Sequence, residues 1–195
     1  MTQIKKVSNW IALFGERITE NREYLNALDT AIGDGDHGSN LTRGATAVKE
    51  KMAETEYDNL AKLFQDVGMT LVSKVGGASG PLYGSAFISM AKVAKESSDF
   101  GAILAGGLDG IQKRGKADVG EKTMVDEWAP VVKHVQAGTL TSDVIAESLA
   151  NTKDMKATKG RASYLGDRSI GHIDPGAQSS AYLFDALLET GVLDE

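Results

Sequence analysis

Ile4, Val7, Ile11, Phe14 and Ile18 recur at steps of three and four residues, the spacing that aligns side chains along one face of a helix. The same period runs through most of the chain. No segment alternates apolar and polar residues for long, β-branched residues are scattered, and there are only three prolines, Pro81, Pro130 and Pro175. Strand signals are therefore nearly absent. The periodicity predicts eight helices, over about residues 3–28, 38–54, 58–74, 80–97, 99–114, 122–137, 141–157 and 175–190. Asp58, Asp99 and Thr141 stand where N-caps are wanted, Gly138 and Gly191 where a left-handed residue ends a helix, and Pro81 and Pro175 in first turns. Without repeats or long linkers, such a chain is expected to form a single all-α domain over 1–195, a bundle or closed helical barrel.

Composition narrows the function. The longest apolar runs, such as Trp10 to Phe14, fall far short of a membrane span. The opening "MTQIKKVSNW" carries two lysines but no apolar block or cleavage site, so it does not read as a secretion signal. With no cysteine in the chain, a cytoplasmic protein is expected, without disulfides, zinc-thiolate sites or thiol chemistry. A net charge of -6 and no basic cluster argue against nucleic acid as the main ligand. The acidity then serves either solubility or metal binding.

Four stretches carry chemistry. In "ALDTAIGDGDHGSNLTRG", residues 27–44, Asp29, Asp34 and Asp36 lie among Gly33, Gly35 and Gly38. The glycines let the backbone turn tightly enough for the carboxylates to converge, and converging anions repel unless cations neutralise them. Hard oxygen donors select Mg2+ or Ca2+. An EF-hand loop begun at Asp34 fails, because Gly38 falls at its fifth position and Ala45 where the closing glutamate belongs. The competing reading is a solvated turn, which Asp and Gly also form. In "KVGGASGPLYGS", residues 74–85, small residues precede a helix opened by Pro81. That is either an anion site at a helix N-terminus or a tight interhelical turn. In "KGRASYLGDRSIGHIDPGAQSS", residues 159–180, Arg161, Arg168, His172 and Asp174 occupy the longest irregular stretch, one that suits a ligand loop. Asp174 also reads as a simple cap ahead of Pro175, and the arginines as surface decoration. "RGKADVGEKTMVDEW", residues 114–128, is a glycine-rich loop with a helix start near Thr123. His134 falls within a helix and reads as structural.

In this order and spacing, "IGDGDHGSN", "GGASGPLYG", "RGKADVGEKTMVD" and "GRASYLGDRSIGHIDPGA" resemble the nucleotide-binding L subunit of bacterial dihydroxyacetone kinases, across essentially the whole chain. The related domain of fatty-acid kinases has Thr after the last Asp, where this chain has His37. The resemblance implies an up-and-down barrel of eight amphipathic helices, holding ADP or ATP at one end through two Mg2+ ions. It assigns Asp29, Asp34 and Asp36 to the metals and His37, Gly38, Ser39 and Asn40 to a phosphate-side loop, with Ala78 and Ser79 in a second. Gly115, Thr123 and Met124 fall in the nucleotide-pocket motif, and Arg161, Asp174, Pro175 and Gly176 in a closing loop.

By the same resemblance, dihydroxyacetone is held covalently on a histidine of a separate K subunit, and this chain supplies the phosphoryl donor without a general base of its own. Two modes exist in the family. ATP-dependent members exchange ADP for ATP, usually in an L domain fused behind K. Members coupled to the phosphoenolpyruvate phosphotransferase system keep their ADP, which a phosphohistidine-carrying M subunit rephosphorylates, and the free-standing 195 residues favour this mode. A non-catalytic regulator binding Mg-ADP is the rival, against which the intact Asp29, Asp34, Asp36 and Ser79 count.

Overall fold

All the expected segments are helical in the structure, a computed structural model that describes residues 1–194. Among these residues there are nine α-helices: α1 (Gln3–Glu20), α2 (Arg22–Ile32), α3 (His37–Ala53), α4 (Leu60–Lys74), α5 (Ser79–Ala94), α6 (Phe100–Gly115), α7 (Val125–Gln136), α8 (Ser142–Asn151) and α9 (Pro175–Glu189). Short 3-10 segments, Thr152–Asp154 and Arg161–Ser169, lie between α8 and α9.

The ninth helix arises because the first expected segment is broken. At Asn21 the side-chain amide donates to the Arg17 carbonyl at 2.8 Å, competing with the helix ladder, and the backbone turns at φ -104, ψ 18. The chain resumes as α2 and continues past the expected end at Leu28 to Ile32, so Asp29 sits on the last turn of this helix. A second correction concerns α4. Its cap is Asn59, in extended conformation with Oδ1 accepting the Lys62 N–H at 2.8 Å, while Asp58 only accepts from the Asn59 amide. Likewise α8 stops at Asn151 and gives way to a 3-10 turn before the expected end. Asp99 and Thr141 do cap α6 and α8, and Gly138 and Gly191 take φ of +66 and +63.

The helices form a closed ring. Following the packing from α1, the order is α3, α4, α5, α6, α7, α8 and α9, and α9 returns to α1. Closure is anchored by two tryptophans that reach α9: Trp10 Nε1 donates to the Leu183 carbonyl at 2.8 Å, and Trp128 Nε1 to Ser180 Oγ at 3.0 Å. Both rings are wholly buried, Trp10 against Phe64 and Phe87, and Trp128 edge-on to Phe184 at 4.9 Å. Between α1 and α3 a cleft of about 630 Å³, lined largely by apolar residues, opens to the surface past Glu16 and Lys49 and reaches Tyr83 and Phe87 of α5. No helix among the described residues is long and apolar enough to cross a membrane.

Alternation of helix direction has one consequence for function. The first turns of α3, α5, α7 and α9 gather at one end of the ring, with the last turns of α2 and α6.

Candidate functional site

The acidic stretch is organised around Asp29. Its buried carboxylate takes two backbone N–H groups on Oδ2, from Asp36 at 2.9 Å and His37 at 3.0 Å, which folds the loop back over the end of α2. Gly33 makes room for this: a Cβ there would lie 2.1 Å from Asp29 Oδ1. One carboxylate oxygen each from Asp29, Asp34 and Asp36 then falls within 4.8 Å of the others. Burial pushes Asp29 up, the two N–H bonds oppose that, and the charges of Asp34 and Asp36 push the same way as burial. The stretch is thus both a tight turn and a convergence of anions.

These carboxylates open into a cavity of about 680 Å³. Of the residues that the sequence assigned to the site, His37, Asn40, Ala78, Ser79, Gly115, Thr123, Met124, Arg161, Asp174, Pro175 and Gly176 also line it. Gly38 and Ser39 do not. His37 and Asn40 are three residues apart and share one face of α3, whereas the residues between them turn towards α2. Ser39 N–H donates to Asn26 Oδ1 at 3.0 Å and its hydroxyl accepts from Asn26 and Arg22. At Gly38 a Cβ would lie 2.0 Å from the Arg22 carbonyl oxygen. Gly38→Ala is therefore expected to force α2 and α3 apart and to lower stability by about 2 kcal/mol, measured by urea unfolding.

His37 has a structural partner as well as a place on the wall. Its Nε2 shares a hydrogen bond of 2.9 Å with Ser179 Oγ, which also meets the Tyr83 hydroxyl at 2.7 Å, tying α3 to α5 and α9. Burial lowers His37 to about 4, so the ring is neutral at neutral pH. Asp174 caps α9 by accepting the Ala177 N–H at 2.8 Å, and burial pushes it up to about 7 despite that bond and the charge of Lys122. Arg161 reaches across to Asp34 at 3.2 Å, an exposed pair worth little to stability but placed over the acidic loop.

Several wall residues are not singled out by the sequence, although all but Ile111 fall within the four stretches. Leu82, Ile111 and Ala117 add apolar surface beside Met124, and Arg114 and Lys159 add positive charge. Lys122 is the least expected, since it is 1% exposed and its ammonium is wholly held by backbone carbonyls. A cavity with an apolar wall, several cations, a carboxylate cluster and four helix N-termini suits a ligand with a flat apolar part and a strongly anionic part, bound with hard cations.

Residues 31–189 match the family model of the DAK2 domain. The chain belongs to the DAK2 domain family. It is 56% identical over 187 residues to the ADP-binding subunit DhaL of PEP-dependent dihydroxyacetone kinase 1 from Listeria innocua, covering 94% of both chains. To the ADP-binding subunit DhaL of the PTS-dependent dihydroxyacetone kinase from Lactococcus lactis it is 51% identical over 189 residues, covering 97% of this chain and 98% of that one. The solved dihydroxyacetone kinase from C. freundii, in complex with AMP-PNP and Mg2+, superposes with a TM-score of 0.76 at 27% identity over 92% of this chain. This DAK2 chain spans 33% of that protein.

The acidic cluster of the DAK2 chain fits Mg2+ on its own geometry. Its donors are all carboxylate oxygens, with no sulfur or imidazole in the set, and they are held close enough to repel one another until a divalent cation sits among them.

Proposed function

We propose that this chain is the nucleotide-binding phosphoryl-transfer subunit of a phosphoenolpyruvate-dependent dihydroxyacetone kinase. Phosphate passes from Mg2+-bound ATP to dihydroxyacetone held on a separate K subunit, and the ADP stays in place to be rephosphorylated by the phosphohistidine-carrying M subunit of the phosphotransferase system. The reaction is assigned to the cytoplasm. The observation that carries this reading is the convergence of Asp29, Asp34 and Asp36 on the cavity that also receives Arg114, Arg161, Lys159 and the first turns of α3, α5, α7 and α9. The names of the Listeria and Lactococcus relatives supply the substrate and the phosphoenolpyruvate coupling.

In this reading Asp29, Asp34 and Asp36 hold two Mg2+ ions, with Asp29 oriented by its two backbone N–H donors. The bound metal supplies Lewis-acid polarisation of the terminal phosphate and offsets its charge. Ser79 and Asn40 direct polar atoms to the phosphates from the starts of α5 and α3, and Leu82, Ile111 and Met124 give the base an apolar wall. Three carboxylates and a triphosphate bring together about seven negative charges; two divalent ions remove four, and the remainder falls to Arg114, Lys159, Arg161 and the helix N-termini. No side chain of the cavity is needed as a general base, because phosphoryl transfer is governed mainly by positioning and charge.

A second reading, exchange of ADP for free ATP, is favoured by one observation: the C. freundii kinase carries a region like this chain within a protein about three times its length and was solved with AMP-PNP. The two separate in a mixture of the protein, its K partner and dihydroxyacetone. Turnover is expected with phosphoenolpyruvate and the phosphotransferase proteins, and not with ATP alone. Turnover with ATP alone would sink the retained-ADP reading, and mass spectrometry of the purified protein checks for the nucleotide itself.

A further inference from the structure

Lys122 is buried, yet among the described residues no carboxylate is bonded to it. Its ammonium donates to the carbonyl oxygens of Thr152 at 2.6 Å, Lys153 at 3.4 Å and His172. These acceptors mark both ends of the long segment that leads from α8 to α9. Burying a cation costs free energy that a methionine of similar length would not incur. The backbone at Lys122 also sits at φ +61, a left-handed conformation that non-glycine residues seldom take. Both costs are borne directly beside Thr123 and Met124, which line the cavity.

Other bonds converge on the same junction. The Asp174 N–H donates to Thr152 Oγ1 at 3.1 Å, the Gly171 N–H to the Lys153 carbonyl at 2.7 Å, and the Thr158 N–H to the Glu121 carbonyl at 3.3 Å. The turn before α7 and the segment before α9 therefore meet along Lys122, and each supplies one wall of the cavity: Thr123 and Met124 from the first, Arg161 and Asp174 to Gly176 from the second.

We propose that Lys122 is a positioning residue for nucleotide retention, its ammonium clamping residues 152–174 onto the turn that carries Thr123 and Met124 so that the two walls close on one ligand. The inference rests on the nucleotide reading of the site. Lys122 makes no hydrogen bond to Asp29, Asp34 or Asp36; its ammonium acts through the carbonyls that it holds.

The test compares the wild-type chain with Lys122→Met, which keeps the length of the stem and removes the charge and its donors. Release of methylanthraniloyl-ADP in the presence of Mg2+ is followed by stopped flow, well below both melting temperatures. A dissociation rate raised by about tenfold or more is expected, since lost positioning shows mainly in the off-rate. Mn2+ binding to the carboxylate cluster without nucleotide, read by electron paramagnetic resonance, should stay within about twofold of wild type. A variant that melts lower but releases the nucleotide at the wild-type rate has lost only a structural brace, and the proposal is overturned. Equal losses of Mn2+ and nucleotide binding overturn it too, because the damage is then general. If Lys122→Met does not fold, Lys122→Gln carries the test. That variant is neutral and too short to reach the carbonyls of Thr152, Lys153 and His172 together, and an unchanged release rate overturns the clamp. Should the wild-type chain itself fail to bind the Mg-nucleotide probe, the nucleotide reading fails and the clamp with it; the two failures are told apart because this one is seen before any variant is made.

Discussion

Asp34→Asn and Asp36→Asn each lower Mg2+-dependent ADP affinity by about a hundredfold or more, close to 3 kcal/mol, and phosphoryl transfer to dihydroxyacetone falls with it. Each change removes one of three convergent anionic donors, and a neutral amide is a weak ligand for a hard cation. Stability should not fall in parallel. The charges of Asp34 and Asp36 act against the ionised form of Asp29, so removing either relieves repulsion. The expected pattern is an unchanged or slightly higher melting temperature without nucleotide, and loss of the thermal shift that Mg-ADP gives the wild type. Calorimetric titration with Mg-ADP measures the affinity. If either variant keeps wild-type affinity and turnover, the assignment of metal to this cluster is wrong.

Glu127→Gln should stabilise the fold, increasingly so as the pH rises. Glu127 lies in the first turn of α7, wholly buried, and neither carboxyl oxygen has a hydrogen-bond partner among the described residues. Burial, with the charge of Asp185 adding to it, pushes the carboxyl from 4.5 up to about 9. Between those values the folded chain holds a proton that the unfolded chain has released. Folding is therefore unpenalised by this group below the unfolded value and loses stability as pH rises towards the folded one. At pH 7 the penalty is about 3 kcal/mol, from roughly 1.4 kcal/mol per pH unit. Glutamine keeps the shape and cannot ionise, so the gain should be near zero at acid pH, about 3 kcal/mol at pH 7 and larger at pH 8.5. Urea unfolding of both proteins at several pH values gives the difference. Parallel stability curves would mean that Glu127 is solvated or paired in solution.

The acidic loop shows how far residue patterns carry. Asp29, Asp34 and Asp36 are separated by so few residues, with Gly33 and Gly35 between them, that their convergence is a local property of the chain. Helix faces are equally local: of the stripe Ile4, Val7, Ile11, Phe14 and Ile18, all but the half-buried Ile4 are buried, with Trp10 beside them. Errors came where a side chain competes with the backbone. Asn21 takes the Arg17 carbonyl and breaks a helix whose apolar period continues unbroken through it, and Asn59 rather than Asp58 is extended at the start of α4. Gly38 and Ser39 are absent from the cavity wall for another reason. A motif assigns a run of consecutive residues to one ligand, but the run begins a helix, and a helix keeps residues three or four apart on one face while those between them turn towards its neighbour.

By itself, then, the sequence determined the helical class, the period of the main segments, the carboxylate cluster and the family motifs, because each depends on residues a few positions apart. Only the tertiary structure decided that four separate first turns share one cavity, that Leu82 and Ile111 form part of its wall, and that Lys122 is buried among three carbonyls. It also decided that Glu127 meets no hydrogen-bond partner among the described residues. Those facts depend on ring closure, which brings residues from distant segments into contact, and on what each buried polar atom meets there. Neither the period of a helix nor the spacing of a motif encodes the identity of a neighbour 96 residues away, such as Ser179 beside Tyr83.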